Sequence, residues 1–172
     1  MSTATIPASD VLGSVGGNSL KFYAAFGSKQ AAFCEAVDLY IRLVGSKSTR
    51  SLNGANTAHD GLRAMLETTI SVATSNKAGG CLLMLGVMNN LPKNDDVWSH
   101  LKRTRRETLA LIRARLQRGV AEGDLPSDTN VNVLAQHFLG LTQTISLQAR
   151  DCASRASLRR LIEPAMAAQP TP

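Results

Sequence analysis

Aromatic side chains and long apolar runs are scarce in this chain of 172 residues. Phe, Trp and Tyr make up 4% of it, so the core must be built mostly from aliphatic side chains, which favours packed helices over a β-sandwich. The longest nearly continuous apolar run, residues 81–88, is too short to span a bilayer, and no signal peptide is visible. The composition therefore predicts a soluble, cytoplasmic, all-α protein with no membrane partner.

Paired cysteines and catalytic motifs are also missing. Cys34, Cys81 and Cys152 are far apart, form no C-x-x-C pair and have no histidine at metal-ligand spacing. There is no G-x-S-x-G, no H-E-x-x-H and no phosphate-binding loop, and the three histidines are isolated from one another. We therefore predict free thiols, no metal, no cofactor and no enzymatic activity, with an enzyme on a helical bundle as a minor alternative.

Basic residues give the chain a formal net charge of +6, but they are unevenly placed. Residues 1–28 hold only two charged side chains, Asp10 and Lys21, whereas residues 102–118 and 150–160 are rich in arginine. A DNA-binding surface normally neutralises several phosphates with Lys and Arg, so residues 1–28 carry little charge for that purpose. We interpret the two later clusters as solvated helix faces. The arginines predicted on the outside of the first of these helices are Arg103, Arg105, Arg106, Arg113 and Arg115.

Apolar residues recur at i, i+3 and i+4 along most of the chain, which is the pattern of amphipathic helices. Residues 45–58 are rich in Ser, Asn, Gly and Thr and predict a loop. Residues 81–88 are apolar nearly all round, which favours a short buried helix over the alternative of a strand. Asp128 or Thr129 is predicted to cap the helix that ends near Arg150. The predicted helices cover, approximately, residues 28–44, 58–75, 81–88, 95–121, 129–150 and 153–168.

The segment before the first long helix has the outline of a helix-turn-helix. Phe22 and Phe26 share one side of a short helix, Gly27 is a helix stop, and Ser28 is an N-cap for the next helix. Upstream, residues 10–19 contain an apolar segment, a glycine turn and a second N-cap. The second helix of such a motif enters the major groove of DNA.

These residues resemble the DNA-binding domain of TetR/AcrR-type bacterial transcriptional repressors. The family pattern has an Asp-Ile-Ala-like start, an Ala-Gly turn, and a recognition helix that ends in Tyr-x-x-Phe-x-x-Lys. Here those places are filled by Asp10-Val11, Val15-Gly16, Tyr23-Ala24-Ala25-Phe26 and Lys29. The resemblance implies a partial helix-turn-helix head with its connecting helix in residues 1–44, and an effector-binding and dimerisation body in residues 45–172.

The resemblance also implies partners and a mechanism. A homodimeric repressor of this kind binds a double-stranded DNA operator and is released from it by a small, largely apolar effector. Effector binding in the body changes the separation of the two DNA-reading heads, so that they no longer fit one operator. Because such coupling is reciprocal, DNA and effector weaken each other's binding.

The implied site residues fall into three groups. The DNA-binding candidates are Asn18, Ser19, Lys21, Tyr23 and Lys29. The effector-pocket candidates are Met65, Met84, Met88, Trp98 and Phe138. The dimer-interface candidates are Leu134, Gly140, Leu141, Thr144, Leu147, Leu158 and Leu161. Structural alternatives stay open, since Tyr23 can pack against Phe26, Lys29 can be merely exposed, and the pocket candidates can fill the core.

Two departures from the family pattern support an alternative function. Only nine residues precede Asp10, and they contain Pro7 and little periodic apolar character, so the family's first helix is predicted to be absent. Leu20 stands where the family usually has Pro, Ser or another small or polar residue. The alternative is a regulator-derived ligand-binding and dimerisation module that no longer binds DNA.

Overall fold

The computed structural model describes residues 19–75, 79–85 and 95–170, with the backbone alone for residues 19–21, 84 and 85. These parts of the chain are helical and contain no strand, which confirms the predicted all-α fold. None of the helices described there is long and apolar enough to cross a membrane. The helices are α1 Ser19–Phe26, α2 Lys29–Tyr40, α3 Ser46–Gly54, α4 Ala58–Ala73, α5 Leu82–Leu85, α6 Asp95–Ala121, α7 Val131–Arg150, α8 Arg155–Arg159 and α9 Ile162–Met166.

The corner between α1 and α2 forms as the sequence predicts. Gly27 has a φ of +70°, a conformation that glycine adopts without strain, and its N–H donates to the Tyr23 carbonyl at 2.8 Å. The Ser28 hydroxyl oxygen accepts a hydrogen bond from the Ala31 N–H at 3.0 Å and so caps α2. The helix stop and the N-cap are therefore both confirmed.

The predicted loop at residues 45–58 is wrong over most of its length. A π-helical turn, Ile41–Gly45, joins α2 to α3, and the residues at both junctions have helical backbone angles. Residues 29–54 therefore form one continuous helical rod, which we call the rod. Polar side chains are tolerated in α3 because their hydroxyls bond to its own backbone: Ser51 Oγ donates to the Lys47 carbonyl at 3.1 Å.

Small side chains bring α3 very close to α4, which explains why a polar segment becomes a packed helix. The hydroxyls of Ser51 and Thr68 lie 2.8 Å apart across this contact. A Cβ atom at Gly61 would lie 2.5 Å from the Leu52 carbonyl oxygen, so only glycine permits this approach. Leu52 itself is fully buried. The tertiary contact with α4 thus overrides the loop-like composition of α3.

The main core lies between α4, α6 and α7, with α3, α8 and α9 covering its ends. Each of the three central helices contributes the apolar stripe that its sequence predicts. The fully or almost fully buried members of those stripes include Leu62, Met65, Leu66, Ile70, Ile112, Leu116, Phe138 and Ile145. A second, smaller core surrounds Val37 of α2, with Leu83 and Leu101 as its other buried members. This second core packs the rod against α5 and α6.

One arginine lies inside the molecule, contrary to the prediction that it faces solvent. The side chain of Arg115 is fully buried, and its guanidinium donates to the Asn56 carbonyl at 3.1 Å. Its nitrogen Nη2 also lies 3.7 Å from Asp124 Oδ2, the atom that accepts the Ala58 N–H at 2.9 Å. Arg115 therefore ties the connection before α4 to the end of α6, since a buried charge requires such partners.

Two element boundaries near the C-terminus also differ from the prediction. The cap of α7 is Asn130, whose side-chain oxygen accepts the Val133 N–H at 3.1 Å, rather than Asp128 or Thr129. The predicted single helix over residues 153–168 is two short helices, α8 and α9. Pro164 explains the break, because it has no N–H to donate to the carbonyl four residues earlier and its ring clashes with that carbonyl.

Candidate functional site

The exposed corner of the head presents two of the predicted DNA-binding residues. Tyr23 is 46% exposed, and its ring meets Phe22 edge-on at 5.6 Å between centroids. Lys29 is exposed at the first turn of α2. Ser19 and Lys21 belong to α1, but their side chains lie outside the description, and Asn18 precedes the described residues.

A polar contact joins the rod to α6 beside the second core. His100 Nε2 lies 2.8 Å from Asp38 Oδ1, and Arg103 Nη2 lies 2.7 Å from His100 Nδ1. Because arginine only donates, His100 Nδ1 is the acceptor and the ring proton is on Nε2, which donates to Asp38. These hydrogen bonds hold α2, the helix that connects the head to the body, in a fixed orientation on α6.

A cavity of about 50 Å³ lies between the rod, α4, the segment 81–83, α6 and α7. Gly45 is at its rod side, and Met65, Val72 and Leu83 are its apolar side chains. The hydroxyl-bearing residues of its described wall are Ser48, Thr49, Thr69, Thr108, Thr142 and Ser146. Most of the lining surface is apolar. This combination of an apolar surface with a few polar atoms is typical of small-molecule sites.

Cys81 adds a thiol to the cavity wall, next to the rod. The Tyr40 side chain is hydrogen-bonded to the Cys81 thiol and also to the backbone at Leu82. Burial and the neighbouring Cys81 thiol raise the pKa of Tyr40 far above its usual range, so its hydroxyl stays protonated. No group of three or more His, Cys, Asp or Glu side chains in the described ranges is placed to hold a metal ion.

The predicted pocket residues are divided by the fold. Met65 lines the cavity, whereas Phe138 is fully buried in the main core. Trp98 lies at the start of α6, with Lys102 Nζ 4.5 Å from its ring centroid, and it is not part of the described cavity wall. The side chain of Met84 and the whole of Met88 lie outside the described residues.

The predicted interface residues are divided as well. Leu134 and Leu158 are buried in the main core, and Leu141 and Leu161 pack against its edge. Thr144 is exposed, Leu147 is 46% exposed, and a Cβ atom at Gly140 would meet nothing within 4 Å.

The exposed face of α7 has the spacing of a helix–helix seam. Val133, His137, Gly140, Thr144 and Leu147 recur in steps of four and three along it, opposite the buried stripe. Val133 is 64% exposed, so apolar groups stand on both sides of Gly140 on the open surface. We call this set the α7 face.

A comparison with protein-family models decides the family. Residues 58–165 match the model described as the tetracyclin repressor-like C-terminal domain. The chain belongs to the TetR family of transcriptional regulators. A comparison with curated protein sequences gives no match.

Solved structures of TetR-family regulators resemble the chain over nearly its full length. A cysteine mutant of the regulator CifR, solved in complex with 26-base-pair operator DNA, is 32% identical, with a TM-score of 0.89 over 95% of this chain and 86% of that one. A TetR regulator from Rhodococcus sp. RHA1 is 24% identical, with a TM-score of 0.67 over 95% and 88% of the two chains. Reduced E. coli NemR is 20% identical, with a TM-score of 0.74 over 98% and 88%. The last two likenesses concern the fold alone.

The family and its solved members are transcriptional regulators rather than enzymes, which confirms the prediction that this TetR regulator is not an enzyme. Sequence reasoning missed the hydroxyl-bearing wall of the cavity. Ser48 and Thr49 lie in the segment predicted as a loop, and Thr142 lies between the apolar positions of α7. The two hydroxyls at i+4 spacing along α7, Thr142 and Ser146, are the signal of this wall in the sequence, whereas large apolar side chains alone do not indicate it.

Proposed function

We propose that this TetR-family regulator is a homodimeric repressor that binds operator DNA through residues 1–44 and is released by a small, largely apolar effector in the cavity. The observation that supports this most directly is the continuity of the rod. Gly45, Ser48 and Thr49 line the cavity. The same rod begins at Lys29, next to the corner between α1 and α2, which we call the DNA-reading corner. A ligand in the cavity therefore presses on the helix that carries the head.

In the proposed movement, α2 turns about a fixed point at Val37 and Asp38. Val37 is fully buried against α5 and α6, and Asp38 is bonded to His100 one residue later. A displacement of the rod at Gly45 changes the direction of α2 about this point. In a dimer held together by the α7 face, both heads turn, and their spacing ceases to match the two half-sites of one operator. The effector needs different affinities for the two arrangements, and DNA binding then opposes effector binding.

Operator binding is tested by fluorescence anisotropy with DNA from the promoter upstream of the coding region and a scrambled duplex of equal length. The family resemblance implies that Tyr23 contacts a phosphate, and a phosphate contact carries no sequence information, so Tyr23→Ala is expected to weaken binding to every duplex by roughly threefold to tenfold. Lys29→Ala is expected to reduce the magnitude of the slope of log K against log salt concentration by about 1, the contribution of one phosphate contact.

Arg118→Ala is the matched control for Lys29→Ala. Arg118 is half-exposed near the opposite end of α6, about 35 Å along that 27-residue helix from its first residue, so its removal changes the net charge equally but leaves the head untouched. An equal loss of affinity in both variants means that net charge alone attracts the DNA. Weak binding that is identical for the promoter and scrambled duplexes favours the alternative, a ligand-binding and dimerisation module that does not read DNA.

A second trigger, modification of a thiol, is favoured by the position of Cys81 in the cavity wall beside the rod. N-ethylmaleimide is the probe: the Cys81 sulfur bonds to one alkene carbon, and the thiol proton ends on the other. We expect this adduct, which exceeds the cavity in size, to release the DNA. Cys81→Ser is expected to stay bound after treatment, whereas Cys152→Ser, which removes an exposed thiol, is expected to release normally. Equal release from both variants excludes Cys81 as the trigger.

A further inference from the structure

We propose that the cavity selects an uncharged molecule of a few non-hydrogen atoms that carries a hydrogen-bond donor on an apolar body, with a short-chain alcohol as the simplest example. This inference rests on the proposed function of the cavity as the effector site and adds the chemical class of the effector. It follows from where the hydroxyl protons of the wall are directed.

The hydroxyls on α4 and α7 donate to backbone carbonyls of their own helices. Thr142 Oγ1 donates to the Leu139 carbonyl at 2.7 Å, and Ser146 Oγ donates to the Thr142 carbonyl at 2.9 Å. Thr69 Oγ1 donates to the Met65 carbonyl at 2.8 Å. A hydroxyl has one proton and two lone pairs. Because the proton of each hydroxyl is already in a hydrogen bond, each of these oxygens can only accept a further one.

The remaining hydroxyls follow the same rule with one exception. Thr49 Oγ1 donates to the Ser46 carbonyl at 3.0 Å, and Thr108 Oγ1 donates to the Thr104 carbonyl at 3.1 Å. Thr69 Oγ1 also donates to Ser48 Oγ at 3.1 Å, so Ser48 is the exception, a hydroxyl that accepts from another side chain. Five of the six hydroxyls on the described wall therefore already donate their protons within the protein, and a ligand that brings its own donor matches them best.

Charge and size narrow the class further. The described wall contains no Asp, Glu, Lys, Arg or His, so a charged ligand would lose its hydration without gaining an ionic partner. A cavity of about 50 Å³ has room for about three to five water-sized groups, at about 10–15 Å³ for each. Carboxylic acids and amines are ionised near neutral pH, so we expect them to bind poorly to a wall whose described residues are uncharged. Bulky molecules are expected to be too large for the cavity.

Four molecules with the same non-hydrogen skeleton test the proposal by amide chemical-shift titration of the full-length protein without DNA. Propan-2-ol is an uncharged donor, acetone an uncharged acceptor, isopropylammonium a charged donor and acetate a charged acceptor. Propan-2-ol is expected to shift resonances of the cavity wall and to bind roughly threefold to tenfold more tightly than acetone, as one hydrogen bond predicts. Neither ion is expected to shift the wall resonances.

Thr142→Val removes one of these five acceptors at unchanged shape and is expected to reduce the preference for propan-2-ol over acetone. Thr68→Val is its matched control, because Thr68 bonds to Ser51 between α3 and α4 and is not part of the described wall. Equal binding of the alcohol and the ketone, preference for either ion, or no wall shifts with any probe overturns the proposal. Propan-2-ol that binds with this preference but leaves operator DNA bound refutes effector release and leaves the ligand class intact.

Discussion

Phe138→Ala is expected to lower the free energy of unfolding by about 3–5 kcal/mol, the usual cost of truncating a fully buried phenylalanine. Phe138 is 0% exposed in the main core between α4, α6 and α7. Two terms add: the ring's transfer from water is lost, and the close-packed neighbours cannot collapse fully into the space it leaves. Urea denaturation followed by circular dichroism measures the change as a lower midpoint at similar slope.

Phe33→Ala is the matched control, since the same ring is 37% exposed on α2. It is expected to lose less than half as much stability, because part of its surface already meets water. Comparable losses in both variants would contradict the assignment of Phe138 to the core. The outcome also separates two roles that the sequence leaves open, because a pocket-lining ring would be exposed to the cavity and its removal would change ligand binding more than folding.

The parts of the fold that the sequence predicts are those with strong local signals. The helices α4 and α6 follow from apolar periodicity, and the corner at Gly27 and Ser28 follows from one stop residue and one cap. These signals depend only on neighbours within one or two turns. The recognition pattern at Tyr23 adds the family, because its spacing belongs to one kind of helix-turn-helix.

The parts that the sequence does not predict depend on partners far along the chain. Helix α3 exists because Gly61 lets α4 approach the Leu52 carbonyl, and nothing within residues 45–58 signals that contact. Arg115 resembles the exposed arginines beside it, and its burial depends on Asp124 and a carbonyl before α4. The cavity wall combines hydroxyls from four separate helices, so its chemistry becomes visible only when those helices are packed.

The break between α8 and α9 was missed for a different reason, because the sequence does contain its signal, Pro164. Pro164 removes one donor and crowds the Arg160 carbonyl, so a helix cannot continue through residues 160–164 without a kink. Apolar periodicity across Leu158 and Ile162 hid this local rule, since both side chains are buried whichever way the segment bends.

Gly140→Leu is expected to convert the proposed dimer into monomers while leaving the folded subunit intact. Gly140 lies at the centre of the α7 face, and a Cβ atom there meets nothing within 4 Å in one subunit. Leucine is also a better helix former than glycine, so the subunit should be no less stable. In a two-fold dimer the substitution occurs at both copies, and overpacking costs about 1–3 kcal/mol at each. Sedimentation velocity measures the change.

The loss of the proposed dimer should appear again in operator binding. Two linked heads bind with an affinity that exceeds that of one head by a factor of about 10²–10⁴. We therefore expect Gly140→Leu to weaken operator binding by a factor in that range, although the substituted residue lies in the body and not in the DNA-reading corner. Circular dichroism that matches the wild type is the check that the subunit is folded.

Two exposed leucines separate an interface effect from a general effect of surface change. Leu147 on the α7 face and Leu111 on α6 are 46% and 42% exposed. Leu147→Glu places a charge in the proposed interface, where desolvation is costly, whereas Leu111→Glu replaces one solvated group by another. We expect the first to shift the equilibrium to monomers and the second to leave the dimer unchanged. If Leu111→Glu dissociates the dimer while Gly140→Leu and Leu147→Glu do not, the subunits associate through α6, and the α7 face is free to bind a different partner.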